Sequence, residues 1–511
     1  MFNYKSQKQL DIFDFKTDFE SKLDPNNRWV KLANLLDWDK FAAVYAKSLS
    51  PTTGASSIDA RIIIGALIIK HIEAKDDRGT IEVIQENPYM QFFLGFDSFN
   101  FKPLFDPSLF VHIRKRLGDD AFDEMNQLVI LQALSQEQNV SDTDSDEKSN
   151  DESDTQVDTE NKDEDSSSNR GKLQLDATVC DAHIKYPTDL GLLNDGRLKS
   201  EKIIDTLCEG LGIQKPRTYR QVAKKDWLNL SKSKKVAKKK MRAGIRKQLS
   251  YLKRNLNSID KIIETYPLAL NCLSKEEYRY LLIINELYRQ QQEMYDENKR
   301  RVDYRIVSIH QPHVRPIVRG KQGKNVEFGA KINVSLQNGY ATIDQFSFEA
   351  FNEGGYLIDQ VEKYKKLHGH YPELVQTDGI YMTQQNRKFL KDNQIRHTGK
   401  PLGRPPKEQL SKKDKKIQKA ERAERNHIEA ERRPSKFGQG KTKYGLNKIM
   451  ARLANTSKSW IGAIVFVLNI LKLSKDIFVP LVNSVQNLLN HPIKLLNSIP
   501  KLTLNYQLRA A

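Results

Sequence analysis

The sequence predicts a mixed α/β chain with a helical N-terminal domain and a helical basic insertion. Three observations carry that prediction. Apolar residues recur at helical spacing before residue 138 and again through 199–300. A β-type run, LQLDATVC (173–180), stands between those stretches. After residue 325 strand-like and helix-like segments alternate, the order expected of a mixed sheet with helices on it.

In the first stretch, Ser57 or Asp59 can cap IDARIIIGALIIKHI, and Asp106-Pro107-Ser108 starts LFVHIRKRL with proline in its favoured first-turn place. Gly118 ends that helix and Asp119 or Asp120 can cap DAFDEMNQLVILQAL. Two helices about a Gly-containing turn, with Arg114, Lys115 and Arg116 at the junction, have the pattern of a helix-turn-helix unit. Residues 1–138 are therefore read as a helical domain. Residues 139–169 contain no aromatic residue and only Val140 and Val157 as aliphatics, too little apolar surface to offset chain entropy, so they read as a disordered acidic linker.

Beyond the linker, Leu173, Leu175, Ala177 and Val179 alternate with Gln174, Asp176 and Thr178, the signature of a strand carrying a carboxylate on one face. The insertion at 199–300 is helical and strongly basic: sixteen Lys or Arg lie between Lys215 and Arg254 against one acid, Asp226. Asn338-Gly339 between two β-type runs predicts a hairpin. A helix over GGYLIDQVEKYKKLHG, a buried strand at ELVQTD, a helix at MTQQNRKFLKDN and a short strand at IRHTG follow. A charged helix, Lys407 to Arg433, is broken by Pro434, and SKFGQGKTKYG leads into two final helices. WIGAIVFVLNILKL (460–473) is too short for a membrane span and contains Asn469, so it reads as a buried helix. The domains expected are 1–138, the linker 139–169, a catalytic domain of 170–198 plus 301–473, the insertion 199–300, and a tail 474–511.

The chain has 511 residues, enough for about three domains. Its net charge is +18, and the segment Ser141 to Asp165, with twelve acids against Lys148 and Lys162, carries −10 of it, leaving +28 on the remainder. A polyanionic partner, nucleic acid first, is implied. Three cysteines without a C-x-x-C pair fit a reducing cytosol rather than a disulfide framework, and the N-terminus lacks a signal-peptide core. No P-loop or G-x-S-x-G pattern occurs, and His310 and His313 lack a third matched metal ligand. Carboxylates carry the chemistry instead. Asp176 and Asp378 each follow an apolar β-type run, and Glu429 lies on the charged helix; if the strands are neighbours, their hard oxygens suit Mg²⁺ or Mn²⁺.

With these residues in view, the sequence resembles the DDE insertion-sequence transposases of the IS-five group. The resemblance runs through much of 57–118 and then to about residue 473. It is carried by LDATVCDAHIKYPTDLGLLNDGR (175–197), RIVSIHQPHVRPIVRGKQGKNVEFGAKINVS (305–335), FNEGGYLIDQVEKY (351–364), LVQTDGIYMTQQNRKFL (374–390), HTGKPLGRP (397–405) and KFGQGKTKYGLNKIMARLANTSKSWI (436–461). It implies a ribonuclease H-like catalytic domain in which Asp176, Asp378 and Glu429 are the catalytic and metal-binding acids. The group's Y-x2-R-x3-E-x6-K spacing is kept by Arg425, Glu429 and Lys436, but Arg422 stands in place of Tyr. The intervening AERRPS leaves Lys436 or Lys441 for the family lysine role and makes Glu431 a competitor for Glu429, as Asp181 is for Asp176.

The resemblance further implies metal-dependent DNA cleavage and strand transfer with two Mg²⁺ (or Mn²⁺) ions per site, and Arg425, Lys436 and Lys441 as DNA contacts. It also implies double-stranded DNA as partner, both the element's terminal inverted repeats and the target, a homodimer on paired ends, no membrane, and a cytoplasmic, nucleoid-associated protein. A stand-alone metal-dependent nuclease and a decayed DNA-binding remnant are the alternatives.

Overall fold

The computed structural model describes residues 23–50, 56–143, 169–318, 326–399, 423 and 436–497. The chain divides into two compact units, one of Met1–Lys162, Gly339–Ala341 and Val465–Ala511, the other of Asp163–Asn338 and Thr342–Ile464.

The first unit is helical: α1 (Arg28–Leu35), α2 (Trp38–Ala46), α3 (Ala60–Ile72), α4 (Asp77–Glu86), α5 (Pro88–Phe93), α6 (Leu109–Arg116) and α7 (Asp119–Thr143). Local chemistry sets the boundaries. Asp59 caps α3 through Arg61 N, and Asn87 caps α5 with Pro88 in its first turn. Helix α7 runs on to Thr143, past the point where the acidic segment was expected to begin. The core gathers Trp29 and Trp38 against Phe93, with ring centroids 5.3 and 5.1 Å away.

Arg114, read from sequence as part of a basic helix junction, is instead buried. Its guanidinium makes two 2.8 Å hydrogen bonds to the Asp77 carboxylate, which also accepts an ion pair from the fully buried Lys70 at 2.8 Å. Four residues of spacing toward α6's buried side bring Arg114 in line with Phe110, which is also buried, so the helix turns this arginine inward and leaves Lys115 and Arg116 exposed.

A six-stranded sheet is formed by β1 (Lys172–Asp181), β2 (Arg315–Val318), β3 (Val326–Gln337), β4 (Tyr340–Ser347), β5 (Leu374–Gln376) and β6 (Arg396–His397), ordered β2-β3-β1-β5-β6 with β4 also on β3, and all of it but Tyr340 and Ala341 belongs to the second unit. β1 is antiparallel to β3 and parallel to β5. Asn338 (φ 49°) and Gly339 (φ 82°) form the tight turn between β3 and β4, as their left-handed preferences require. Helices α12 (Leu357–His368) and α13 (Gln384–Asp392) cover one sheet face, packing Leu357, Val361 and Leu390 on Leu173, Leu175 and Val375. Close backbone approach fixes the end of β1: a Cβ on Gly329 would lie 1.9 Å from the Cys180 carbonyl oxygen.

Between β1 and β2 stands a helical tower of α8 (Asp189–Leu211), α9 (Arg220–Ser231), α10 (Lys238–Thr265) and α11 (Lys275–Asp296). Helix α10 buries Leu249, Leu252, Leu256 and Ile259 at three- and four-residue spacing against Ile203, Ile204 and Ile284. Its other side exposes Lys238, Lys239, Lys240, Arg242, Arg246, Lys247, Lys253 and Arg254. Two further helices end the described chain, α14 (Lys436–Lys443) and α15 (Ala454–Asn497). Within the first unit, Asn469 on α15 is fully buried and bonds both the N–H and the carbonyl of Ala341 at 2.8 Å, as well as Asn126 at 2.9 Å. No helix among the described residues is long and apolar enough to cross a membrane.

Candidate active site

The sheet places Asp176 on β1 and Asp378 two residues past the end of β5, and both charges act on the buried Tyr381 phenol. In the parallel β1–β5 ladder Lys172 pairs with Leu374, Leu173 with Val375 and Gln174 with Gln376; the ladder ends there, and Asp378 follows it by two residues, as Asp176 follows Gln174. Gln174 and Gln376 already hydrogen-bond side chain to side chain, so this face of both strands is shared. Neighbouring strands lie about 4.8 Å apart, close enough for carboxylates on adjacent strands to share a cation. Asp176 is half-buried and its Oδ1 accepts from Ala177 N at 2.8 Å; Asp378 is exposed, extended in backbone (φ −71°, ψ 161°), and opens the turn Gly379–Tyr381. On the same face the Gln376 Nε2 is buried without a hydrogen-bond partner among the described residues.

A second set of groups holds the strand ends together. Tyr381, buried behind Asp378, donates its hydroxyl to Asn333 Oδ1 at 2.5 Å. Burial, reinforced by the nearby charges of Glu353, Asp176, Asp344 and Asp378, pushes this phenol well above its ordinary value, so it stays a donor. The other two acids are engaged: Lys331 pairs with Glu353 at 2.7 Å, and Asp344 binds Gln360 at 2.7 Å and Lys363 at 3.0 Å. Tyr381, Asn333 and Gln360 were not singled out by sequence reasoning. Tyr381 and Gln360 fall inside QTDGIYM and GGYLIDQV, but a buried phenol looks like ordinary core until its partner on β3 is known.

Asp181 is used differently from Asp176. Its Oδ1 accepts from Phe328 N at 3.3 Å and its carbonyl accepts from Ile449 N at 2.8 Å, so it ties the end of β1 to its neighbours. An odd separation also puts it on the opposite face from Asp176. Lys441 on α14 lies near Cys180, which shares the face of Asp176; burial pushes the Cys180 thiol up to about 12, with the Lys441 charge opposing. Lys436 begins α14. Arg425, Glu429 and Glu431 lie outside the described residues, as do the expected Lys407–Arg433 helix apart from residue 423 and most of the acidic linker. Among the described residues no group of three or more His, Cys, Asp or Glu side chains is gathered to hold a metal ion. His313 stacks edge-on to Phe348 with centroids 4.5 Å apart, and burial with Arg279 and Arg315 nearby lowers it to about 4.

Two segments of the chain match known families. Residues 17–116 match a transposase domain (DUF772), and residues 375–472, which include Asp378 and Lys441, match a transposase DDE domain. The class these segments define is that of DDE-type transposases. Among curated proteins the chain is 28% identical over 120 residues to an uncharacterized protein, ORF8 in the nfe locus of Rhizobium meliloti; the match covers 24% of this chain and 58% of that protein. No solved structure matches the chain.

Proposed function

We propose that the protein is an insertion-sequence transposase of the IS-five group that cleaves element ends and transfers the strands to target DNA. The observation that supports this reading is that Asp176 on β1 and Asp378, two residues past the parallel strand β5, both place their charge near the buried Tyr381 phenol. The strand order, three antiparallel strands followed by two parallel to the first, supports a ribonuclease H-like catalytic domain with one added edge strand.

Two carboxylates are a hard-oxygen donor set that fits Mg²⁺ or Mn²⁺, with Glu429 as the third donor. Bound there, a pair of such ions supplies charge for the nucleophile and leaving oxygens of a phosphodiester. The chain's own residues orient and retain the substrate. Asp176, Asp378 and Glu429 would hold the ions. The Gln376 Nε2, without a hydrogen-bond partner among the described residues, offers a donor to a phosphate oxygen, and Arg425, Lys436 and Lys441 contact phosphates beside the scissile bond. The exposed lysines and arginines of α10 hold duplex backbone without reading sequence. Residues 1–138 recognise the terminal inverted repeats, and pairing two ends calls for a homodimer.

The test is metal-dependent nicking and joining of an end-bearing duplex. Asp176→Asn, Asp378→Asn and Glu429→Gln should each abolish cleavage while retaining DNA binding. Cleavage that persists in one variant removes that residue, cleavage without joining favours a stand-alone nuclease, and no cleavage by the parent chain favours a decayed remnant.

A further inference from the structure

The second unit contains a cavity of about 310 Å³ that none of the proposed catalytic groups lines. Its walls are the loop leaving β1 (His183–Thr188), the first turn of α8, the segment Val307–Gln311, and Arg452. The volume is at the lower end of the roughly 300–1,000 Å³ typical of small-ligand sites, suited to one flat heterocycle with its sugar.

Four features describe what fits. The 23-residue helix α8 points its N-terminus at the cavity, with Thr188 accepting from Gly191 N, so the helix dipole favours an anion there. Lys185 and Arg452 add cationic side chains against Asp195. Gln311 lines the wall, is only 4% exposed, and donates Nε2 to His183 O at 3.3 Å, yet its Oε1 has no hydrogen-bond partner among the described residues. A buried amide oxygen without a donor is costly, and a ligand carrying an amino or imino N–H relieves it. Finally Tyr186, on the same loop, is 74% exposed and rests edge-on against Phe328 with centroids 5.7 Å apart, which leaves a ring face open for stacking. His310 is engaged at Nδ1 by the Tyr280 hydroxyl at 2.7 Å, and burial together with the Lys199 charge keeps it below its ordinary value, so the wall offers neutral imidazole beside the cations.

An anion, a hydrogen-bonding N–H and a stacking plane together define a nucleotide. We propose that this cavity takes one unstacked nucleotide of a DNA strand, its phosphate at Lys185, Arg452 and the α8 N-terminus, its base against Tyr186 with an N–H directed to Gln311. Seven residues of extended chain separate Asp176 from His183, on the order of 20 Å, so a strand crossing Asp176 reaches the cavity within a few nucleotides. The inference deepens the transposase reading and rests on it for the identity of the strand.

The test is photocrosslinking of the full-length protein to a single-stranded oligonucleotide of about 12 residues carrying 5-iododeoxyuridine, with the crosslinked peptide located by mass spectrometry. The crosslink is expected on Tyr186. Tyr186→Ala should weaken single-strand affinity roughly five- to a hundredfold, the loss of one stacked base. Gln311→Leu, close in volume, should lower the crosslink yield. Crosslinks confined to other surfaces, or affinity unchanged in both variants, overturn the proposal. So does competition by thymidine monophosphate as effective as by the oligonucleotide, which marks a free-nucleotide site. End-duplex cleavage assayed in parallel separates the two ideas: a failed cavity leaves cleavage intact, and a failed transposase reading leaves the crosslink without cleavage.

Discussion

Replacing Arg114 with alanine distinguishes a structural arginine from a DNA-reading one. Arg114 gives Asp77 two hydrogen bonds of 2.8 Å, and Lys70 approaches the same carboxylate at 2.8 Å from a fully buried position. Breaking a buried pair costs about 3–5 kcal/mol. Here the Asp77 side chain is 28% exposed and keeps Lys70, which lowers the expected loss to roughly 2–3 kcal/mol. Amide hydrogen exchange in α3 and α6 reads this locally: protection should fall about 30- to 140-fold at pH 7.

The pH dependence adds a sign. Burial raises the Asp77 carboxyl, but the Arg114 hydrogen bonds and the Lys70 charge outweigh it and hold the group below its ordinary value. A depressed carboxylate contributes stability that is present above its unfolded value, about 3.9, and lost as pH falls through its folded value. The parent chain should therefore lose protection as the pH drops below about 4, and Arg114→Ala should lose less over the same interval. If Arg114→Ala leaves exchange unchanged and instead weakens binding to element ends, the buried-pair argument is refuted and the arginine reads DNA.

Other substitutions probe other parts of the molecule. Asn469→Leu leaves Ala341 N–H, Ala341 C=O and Asn126 without their partner and should lower the thermal midpoint markedly, by about 2–5 kcal/mol of stability; an unshifted midpoint would show that the network is dispensable. Tyr381→Phe strands the buried Asn333 carbonyl and should cost about 1–3 kcal/mol in urea unfolding, with cleavage reduced more than DNA binding; equal loss of both would deny it a positioning role. Neutralising Lys238, Lys239 and Lys240 together should flatten the slope of log affinity against log salt by up to about 2.7, and an unchanged slope would take α10 off the DNA.

The elements legible in the sequence are those whose reasons are local. The alternation at 173–180 marks β1, Asn338-Gly339 marks the hairpin, and Asp59 marks the start of α3, because strand pleat, turn geometry and capping act within a few residues. What was not legible depends on partners far away. β2 at Arg315–Val318 contains a proline and shows no alternation, and it exists because β3 is long enough to pair there. Arg114 looked like a surface cation until Asp77, 37 residues earlier, turned it inward. Asp176 and Asp378 stand out individually by their apolar runs and the family resemblance, but only the parallel pairing of β1 with β5 shows that their strands are neighbours, and Tyr381 gains meaning only beside Asn333.

The register between β1 and β5 also sets a schedule for the newborn chain. Its paired residues are 202 positions apart in sequence, Lys172 with Leu374. At about 5–20 residues per second, ribosomes need roughly 10–40 s to make that stretch. The tower lies wholly inside the interval and can consolidate its own core by short-range contacts while synthesis continues. The β1–β5 pairing cannot form until β5 has emerged, so a prematurely terminated chain would carry the cationic surface of α10 and Asp176 but not Asp378.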